Sequence, residues 1–323
     1  MKVSVVATSS VIPQVELELG LKALATLGFE VKCAENLSDQ DFAYAGSVQT
    51  RAQQFYQSAC DDSDICWAVR GGYGASQILP ALEQLTADKG AQPNKLLIGY
   101  SDLTALYQFV SERWGWRIIH GPMVASKDFR EMNTGDQQSL LALIEQRSCH
   151  NSPWQKQPLQ WINQADIAQE ALEAPLFGGN LAVICAMLGT PWQLDFKGKI
   201  LFLEEIAESW CKIERMLDQL FFAGCLNECK AIVLGKFIHC RDSSPLGLKD
   251  IQTDQQNEQK EAIREALTEQ QAMQRVFGSL AEKLNIPIAS GLSIGHFDEN
   301  AALPLLANYR LSLDHGLELL DWP

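Results

Sequence analysis

The run Leu96-Leu97-Ile98-Gly99-Tyr100-Ser101-Asp102 sets a serine at the end of a short apolar strand, with a helix-forming segment, Leu103 to Trp114, directly behind it. That order is the strand–turn–helix context of a nucleophile elbow, which exposes a serine hydroxyl above a sheet. A serine alone is a weak nucleophile. It needs a base, a group to orient the base, and donors for an oxyanion. Local sequence serves a second role equally well, since Ser and Asp are both preferred helix N-caps. Asp102 could take the cap and leave Ser101 free.

Candidates for the remaining parts are few. The chain has 5 histidines. His296 lies in Gly291-Leu292-Ser293-Ile294-Gly295-His296, a glycine-flanked turn after an apolar strand. His120 is its rival, because it ends a strand of the N-terminal, nucleotide-binding-like half and could line the same cleft. His150 and His315 sit in polar surroundings, and His239 borders a charged stretch. Glu204 and Glu205 follow the apolar run Ile200-Leu201-Phe202-Leu203. A carboxylate ending a buried strand needs a partner, and a histidine it orients is such a partner. Arg70-Gly71-Gly72-Tyr73-Gly74 also follows a strand, and its glycines let backbone N–H groups approach an anion closely. It lacks the Lys-Ser/Thr ending of a P-loop, so an oxyanion-hole or carboxylate-binding role fits better than nucleotide phosphate. Cys225 and Cys229, with His239 and Cys240, lack the paired spacing of a structural zinc site, and no metal is expected.

These residues must be held by alternating elements. Lys2 to Thr8 reads as a strand, Val15 to Leu27 as a helix, Phe29 to Cys33 as a strand and Thr50 to Cys60 as a helix. Ile65 to Val69, Leu96 to Ile98 and Arg117 to Ile119 continue the strands, with a helix over Ala75 to Leu85. Repeated βα units imply a parallel sheet with helices on both faces, and ligands bind such sheets at the strands' carboxyl ends. The Gly-rich turn and Ser101 both fall there. A helix is expected over Gln137 to Gln146. The expected organisation is 1–150 as an N-terminal α/β domain, 151–174 as a polar linker, and 175–323 as a second domain. In the latter, helices are expected over Leu181 to Leu188 and Ile213 to Phe222. Strands are expected over Lys199 to Leu203 and Ala231 to Leu234, and a last strand–turn block over Ile286 to Leu306. Residues 241–275 read as a charged loop and an exposed helix.

At 323 residues and 46% hydrophobic content the chain can bury real cores. A net charge of -14 with no Lys/Arg patch argues against nucleic-acid and anionic-membrane partners. Nine cysteines at irregular spacing suit a reduced protein. No segment has about 18 uninterrupted apolar residues, and a cytoplasmic site of action is expected.

Taken in order, several pieces resemble the LD-carboxypeptidase family, serine peptidases that include cytoplasmic muramoyl-tetrapeptide carboxypeptidases and the microcin-C immunity peptidase. They are Arg70–Gly74, Ile98–Leu106, His120-Gly121-Pro122, Gly178-Gly179-Asn180-Leu181, Leu201–Glu205, Ile213–Leu217 and Gly295-His296. The resemblance implies a flavodoxin-like parallel-sheet N-terminal domain and a smaller, strand-rich C-terminal domain, with the site between them. It implies a catalytic triad of Ser101, Glu204 and His296, with Glu204 preferred over Glu205. Backbone N–H groups of Asp102 and of Gly71 or Gly72 would form the oxyanion hole. Tyr73, Tyr100, His120 and Asn180 are expected to line the substrate site. The implied substrate is a murein tetrapeptide losing its terminal D-Ala, without a cofactor, in a homodimer. Two other readings stand beside it. One is a peptidase for aminoacyl-nucleotide conjugates, which would need an aromatic platform; Trp154, Trp161, Trp192 and Trp210 lie in suitable loops. The other is a non-catalytic binding protein on the same fold.

Overall fold

A computed structural model describes residues 1–34, 37–89, 94–145, 154–155, 157–164, 171–241 and 258–322, with backbone alone at 89 and 258–269. The chain runs through β1 (Lys2–Val6), α1 (Gln14–Thr26), β2 (Glu30–Cys33), α2 (Val48–Cys60), β3 (Ile65–Ala68), α3 (Leu79–Lys89), β4 (Leu96–Ile98), α4 (Tyr107–Trp114), β5 (Arg117–His120), α5 (Lys127–Arg130) and α6 (Thr134–Ile144). It continues with β6 (Gln160–Asn163), β7 (Leu172–Asn180), α7 (Leu181–Ala186), β8 (Ile200–Ile206), α8 (Trp210–Phe222), β9 (Ala231–Ile238), α9 (Glu258–Leu284), β10 (Ile288–Ser290), β11 (Leu303–Leu305), β12 (Asn308–Ser312) and β13 (Gly316–Asp321).

The first sheet has the order β11-β5-β4-β3-β1-β2, and the pairings from β2 to β5 are all parallel. This is the flavodoxin-like strand order. Every residue of β3 and β4 is buried, as expected of strands covered on both faces. The second sheet has the order β13-β12-β7-β8-β9-β10-β6, with a parallel centre, β7 to β10, and antiparallel edges.

Four differences from the sequence expectations bear on the site. The helix expected from Leu103 begins as a 3-10 turn, Ser101–Leu106, and becomes α-helical only at Tyr107. β8 extends to Ile206, so both glutamates lie inside a strand rather than past its end. The stretch 151–174, expected as a linker, contributes β6 to the sheet edge and the start of β7; residues 151–153, 156 and 165–170 lie outside the described residues. β11 leaves the C-terminal half and pairs antiparallel with β5, Leu303 opposite His120. Of the charged stretch 241–275, residues 242–257 lie outside the described residues and α9 begins at Glu258. Among the described residues, no helix is long and apolar enough to cross a membrane.

Candidate active site

The elbow is built from its supports upward. β4 is anchored at its start by Lys95, whose buried Nζ donates to Asp61 Oδ1 at 2.6 Å and to the Ser58 carbonyl at 2.5 Å. Just past the strand's end at Ile98, the Gly99 N–H donates to the Ile119 carbonyl of β5. Ser101 then adopts φ 64°, a left-handed conformation that costs a serine roughly 1–3 kcal/mol and that surrounding structure must enforce. The Gly-rich turn after β3 presses against it. A Cβ on Gly71 would lie 2.9 Å from Ser101 Cβ and 3.4 Å from the Asp102 amide nitrogen, so only glycine permits this approach.

Asp102 is the clamp between the two turns. Its buried Oδ2 accepts from the Ala75 N–H at 2.8 Å, at the start of the 3-10 turn Ala75–Ile78 that precedes α3. Burial raises its pKa, against opposing pulls from Ala75, Ser9 and Arg51. Arg51, fully buried, donates to the Thr8, Gly46 and Gly74 carbonyls and so ties α2 to the loop after β1 and to the Gly-rich turn. Sequence reasoning did not find Arg51. An arginine among the apolar positions of a helix was the signal available.

Across the cavity, His296 Nδ1 lies 2.6 Å from Glu204 Oε2, and Glu204 is fully buried. Gly295 has φ 130°, and a Cβ there would sit 3.1 Å from the same Glu204 oxygen. The Gly295 N–H donates to Asn300 Oδ1 at 2.9 Å, and Asn300 Nδ2 donates to Asp128 Oδ2 at 2.9 Å. The Tyr100 hydroxyl bonds Asp128, and its ring meets His296 edge-on with centroids 4.9 Å apart. The His296 loop is thus held from α5 and from the elbow's own first residues. Asp128 and Asn300 were not singled out from sequence, since neither lies in a recognisable motif.

Glu205 points elsewhere. It accepts from Asn180 Nδ2 at 2.9 Å, Ala182 N–H at 2.8 Å and Ile206 N–H at 2.9 Å, at the N-terminus of α7. The register between β8 and β9 shifts between Leu203 and Glu205, and both acids are buried, on separate networks.

Ser101 and His296 line one cavity of about 520 Å³, together with Gly71, Gly72, Tyr100 and Arg70. The loops after β1, β3, β4 and β5 all reach it, the carboxyl-end location expected of this sheet. Of the four residues expected to contact substrate, Tyr100 alone is in its wall. The other three lie outside it. Tyr73 is 59% exposed, its ring tilted against Tyr44 with centroids 5.6 Å apart and its N–H donating to Ser10 Oγ. His120 is fully buried behind Tyr100. Asn180 is buried because its side chain caps α7, with Oδ1 accepting from the Val183 N–H. None of Trp154, Trp161, Trp192 and Trp210 is in the wall either.

The electrostatics suit a base at His296. Burial would lower its pKa, but the Glu204 charge and hydrogen bond, with Glu205 and Asp128, outweigh it, and the net shift is upward. Nδ1–H facing a carboxylate leaves Nε2 as the basic nitrogen. Burial holds the second histidine, His120, down to about 4. Among the described residues, no group of three or more His, Cys, Asp or Glu could hold a metal ion.

Comparison with known proteins gives two matches to family models. Residues 3–121 match the LD-carboxypeptidase N-terminal domain and residues 173–311 its C-terminal domain. A putative carboxypeptidase of Rickettsia conorii is 35% identical over 209 residues, 64% of each chain. The chain thus spans just under two thirds of that relative's length. A murein tetrapeptide carboxypeptidase of Pseudomonas aeruginosa is 29% identical over 310 residues, 94% of this chain and 90% of that one. Among solved structures, a muramoyltetrapeptide carboxypeptidase from Oxalobacter formigenes superposes with a TM-score of 0.71 at 26% identity, covering 100% of both chains.

Proposed function

The chain belongs to the LD-carboxypeptidase family, and from that premise we propose that it is a cytoplasmic serine carboxypeptidase that removes the C-terminal D-Ala from murein tetrapeptides. In this reading Ser101 Oγ attacks the carbonyl preceding the terminal D-Ala, and His296 Nε2 takes the hydroxyl proton. Glu204 stabilises the resulting imidazolium and holds the ring in the tautomer that frees Nε2. The oxyanion is met by the Asp102 N–H and an N–H of the Gly71-Gly72 turn, each donor contributing about 3–4 kcal/mol in comparable sites. Collapse expels the D-Ala amine, which takes the proton back from His296. Water then repeats the sequence on the acyl-enzyme. Arg70, in the same cavity, offers a planar fork to the D-Ala carboxylate.

The observation that carries the reading is the 2.6 Å Glu204–His296 contact beside a cavity that Ser101 also lines. The test is incubation with L-Ala-γ-D-Glu-meso-diaminopimelate-D-Ala in the presence of EDTA, with D-Ala release followed by mass spectrometry. Release that vanishes in Ser101→Ala, with its melting curve intact, is the expected result. Activity surviving in Ser101→Ala removes Ser101 from its role. No release by the intact protein rejects the tetrapeptide and turns the search to other amides, aminoacyl-nucleotide conjugates first.

A further inference from the structure

Two buried polar atoms next to the Glu204–His296 pair have no hydrogen-bond partner among the described residues: Glu204 Oε1 and His120 Nε2. Unpaired polar atoms in a dry interior are costly, and each needs a physical account. They belong to one small neighbourhood. The His120 ring packs edge-on against Phe202 with centroids 5.1 Å apart, and Phe202 is two residues from Glu204 in β8. The Tyr100 ring touches both histidines, His120 at 5.6 Å and His296 at 4.9 Å between centroids.

The hydrogen bonds behind His120 fix its tautomer. The Tyr107 hydroxyl donates its single proton to the Gly99 carbonyl at 2.7 Å. Its oxygen can then only accept from His120 Nδ1, 3.4 Å away. A neutral His120 therefore carries its hydrogen on Nδ1 and presents Nε2 as an acceptor. The oxygens of an ionised Glu204 are acceptors too. Two acceptors cannot bond each other, whereas a water, with two donors, satisfies both.

We propose that His120 is a positioning residue for Glu204: its Nε2 and Glu204 Oε1 share one buried water that donates to each. One carboxylate oxygen then holds His296 while the other is fixed from behind, so the carboxylate cannot rotate away. The inference rests on the reading of Glu204 as the group that orients His296. It gives the His120-Gly121-Pro122 segment a task that the triad leaves unexplained.

The test has a readout independent of any substrate: ring-15N histidine NMR on the whole protein, with the 5 histidines assigned by substitution. Wild-type His120 is expected to remain the neutral Nδ1–H tautomer from about pH 5 upward, given its depressed pKa of about 4. A dominant Nε2–H tautomer overturns the proposal. His120→Gln keeps a polar atom near the Nε2 position, while His120→Asn keeps one only near Nδ1. Loss of the water leaves Glu204 a stronger partner for the imidazolium, so His120→Asn should raise the His296 midpoint by about one pH unit. It should lower kcat about tenfold with KM nearly unchanged. His120→Gln should stay within about threefold of wild type in kcat, with the His296 midpoint restored. Equal midpoints in both variants and wild type overturn the proposal. So does an equal loss of activity in both with the midpoint unmoved, which marks a purely structural histidine. The other groups around His296 are Glu205, Asp128 and Tyr100, with Arg70, Lys127, Arg130 and Glu16 on the cavity wall; all are constant across the series. Tyr107→Phe leaves His120 in place and removes the oxygen that selects its tautomer. The Nε2–H form should then appear, and an unchanged tautomer refutes the argument even if the His120 variants fold poorly. If wild type fails to cleave the tetrapeptide, the ring titrations still decide the matter.

Discussion

Replacing each of two adjacent glutamates by glutamine separates orientation from architecture. Glu204 Oε2 lies 2.6 Å from His296 Nδ1, and the residue is fully buried. In the proposed mechanism, once His296 has taken the Ser101 proton, a carboxylate and an imidazolium stand roughly 4 Å apart between charge centres. At an effective dielectric of about 20 that attraction is worth about 4 kcal/mol. Glu204→Gln removes it, so kcat should fall about a thousandfold. A glutamine NH2 turned toward Nδ1 would also select the wrong tautomer and deepen the loss. Glu205→Gln acts differently. It can keep a carbonyl oxygen for Asn180 and Ile206, which share Oε1, but sets an NH2 against the Ala182 N–H at the Oε2 position. That costs about 1–3 kcal/mol of stability. Its kcat should stay within about tenfold, because the changed atoms are not on His296. The assay is kcat and KM for D-Ala release by both variants, with thermal melts run beside them. A Glu205→Gln loss larger than that of Glu204→Gln refutes the reasoning, and so does a Glu204→Gln enzyme within tenfold of wild type.

Gly71→Ala should lower kcat by about a hundredfold or more while leaving the melting curve close to wild type, since the added Cβ meets Ser101 Cβ at 2.9 Å and displaces the proposed nucleophile rather than the core; near-normal kcat would show that Ser101 tolerates the shift. The kcat/KM profile should rise with pH through a midpoint above the ordinary histidine value of 6.5, because the base must be neutral and His296 is raised. In Glu204→Gln the midpoint should drop, and a limb that ignores Glu204 would assign the titration to another group. The same shift makes the pair's contribution to stability full below pH 6.5 and lost as pH climbs through the folded value, so melts should show it on the alkaline side. Arg70→Gln should raise KM about tenfold or more with kcat changed less, as loss of a carboxylate fork predicts; an unchanged KM would move the terminal carboxylate to Lys127 or Arg130, which also line the cavity.

Much of the first sheet was legible because its strands are continuous apolar runs ending in turn chemistry. Ile65 to Val69 before Arg70-Gly71-Gly72, and Leu96 to Ile98 before Gly99, read directly as β3 and β4. The 3-10 start of the following helix was not legible, because its setting is tertiary: Asp102 reaches to Ala75, and Ser101 takes a left-handed conformation against the glycine turn beside it. Short edge elements escaped for a related reason. β6 has a mixed polar sequence, Gln160-Trp161-Ile162-Asn163, whose only strand signal is the partner β10. Asn180 shows the limit at the site. A motif names a residue but not the direction of its side chain, and this one turns inward to Glu205 and α7.

The proposed nucleophile and its base come from different halves of the chain, so their separation depends on how rigidly the halves join. Two contacts make that junction one of backbone and a short hydroxyl rather than of long side chains. β11 crosses from the C-terminal half to pair with β5, seven residues beyond His296 and directly opposite His120. The Asn180 N–H donates to Thr104 Oγ1 within the turn that begins at Ser101, and a Cβ on Gly179 would overlap that same hydroxyl at 2.5 Å. Hydrogen-bonded backbone junctions have little slack, and a misplacement of about 1 Å between reacting groups can cost a hundredfold in rate. A substitution at Gly179 therefore touches none of Ser101, Glu204 and His296, yet acts on the distance between them. Gly179→Ala should lower kcat by more than it lowers stability, and a variant that loses only stability would show that the halves are aligned by something other than this contact.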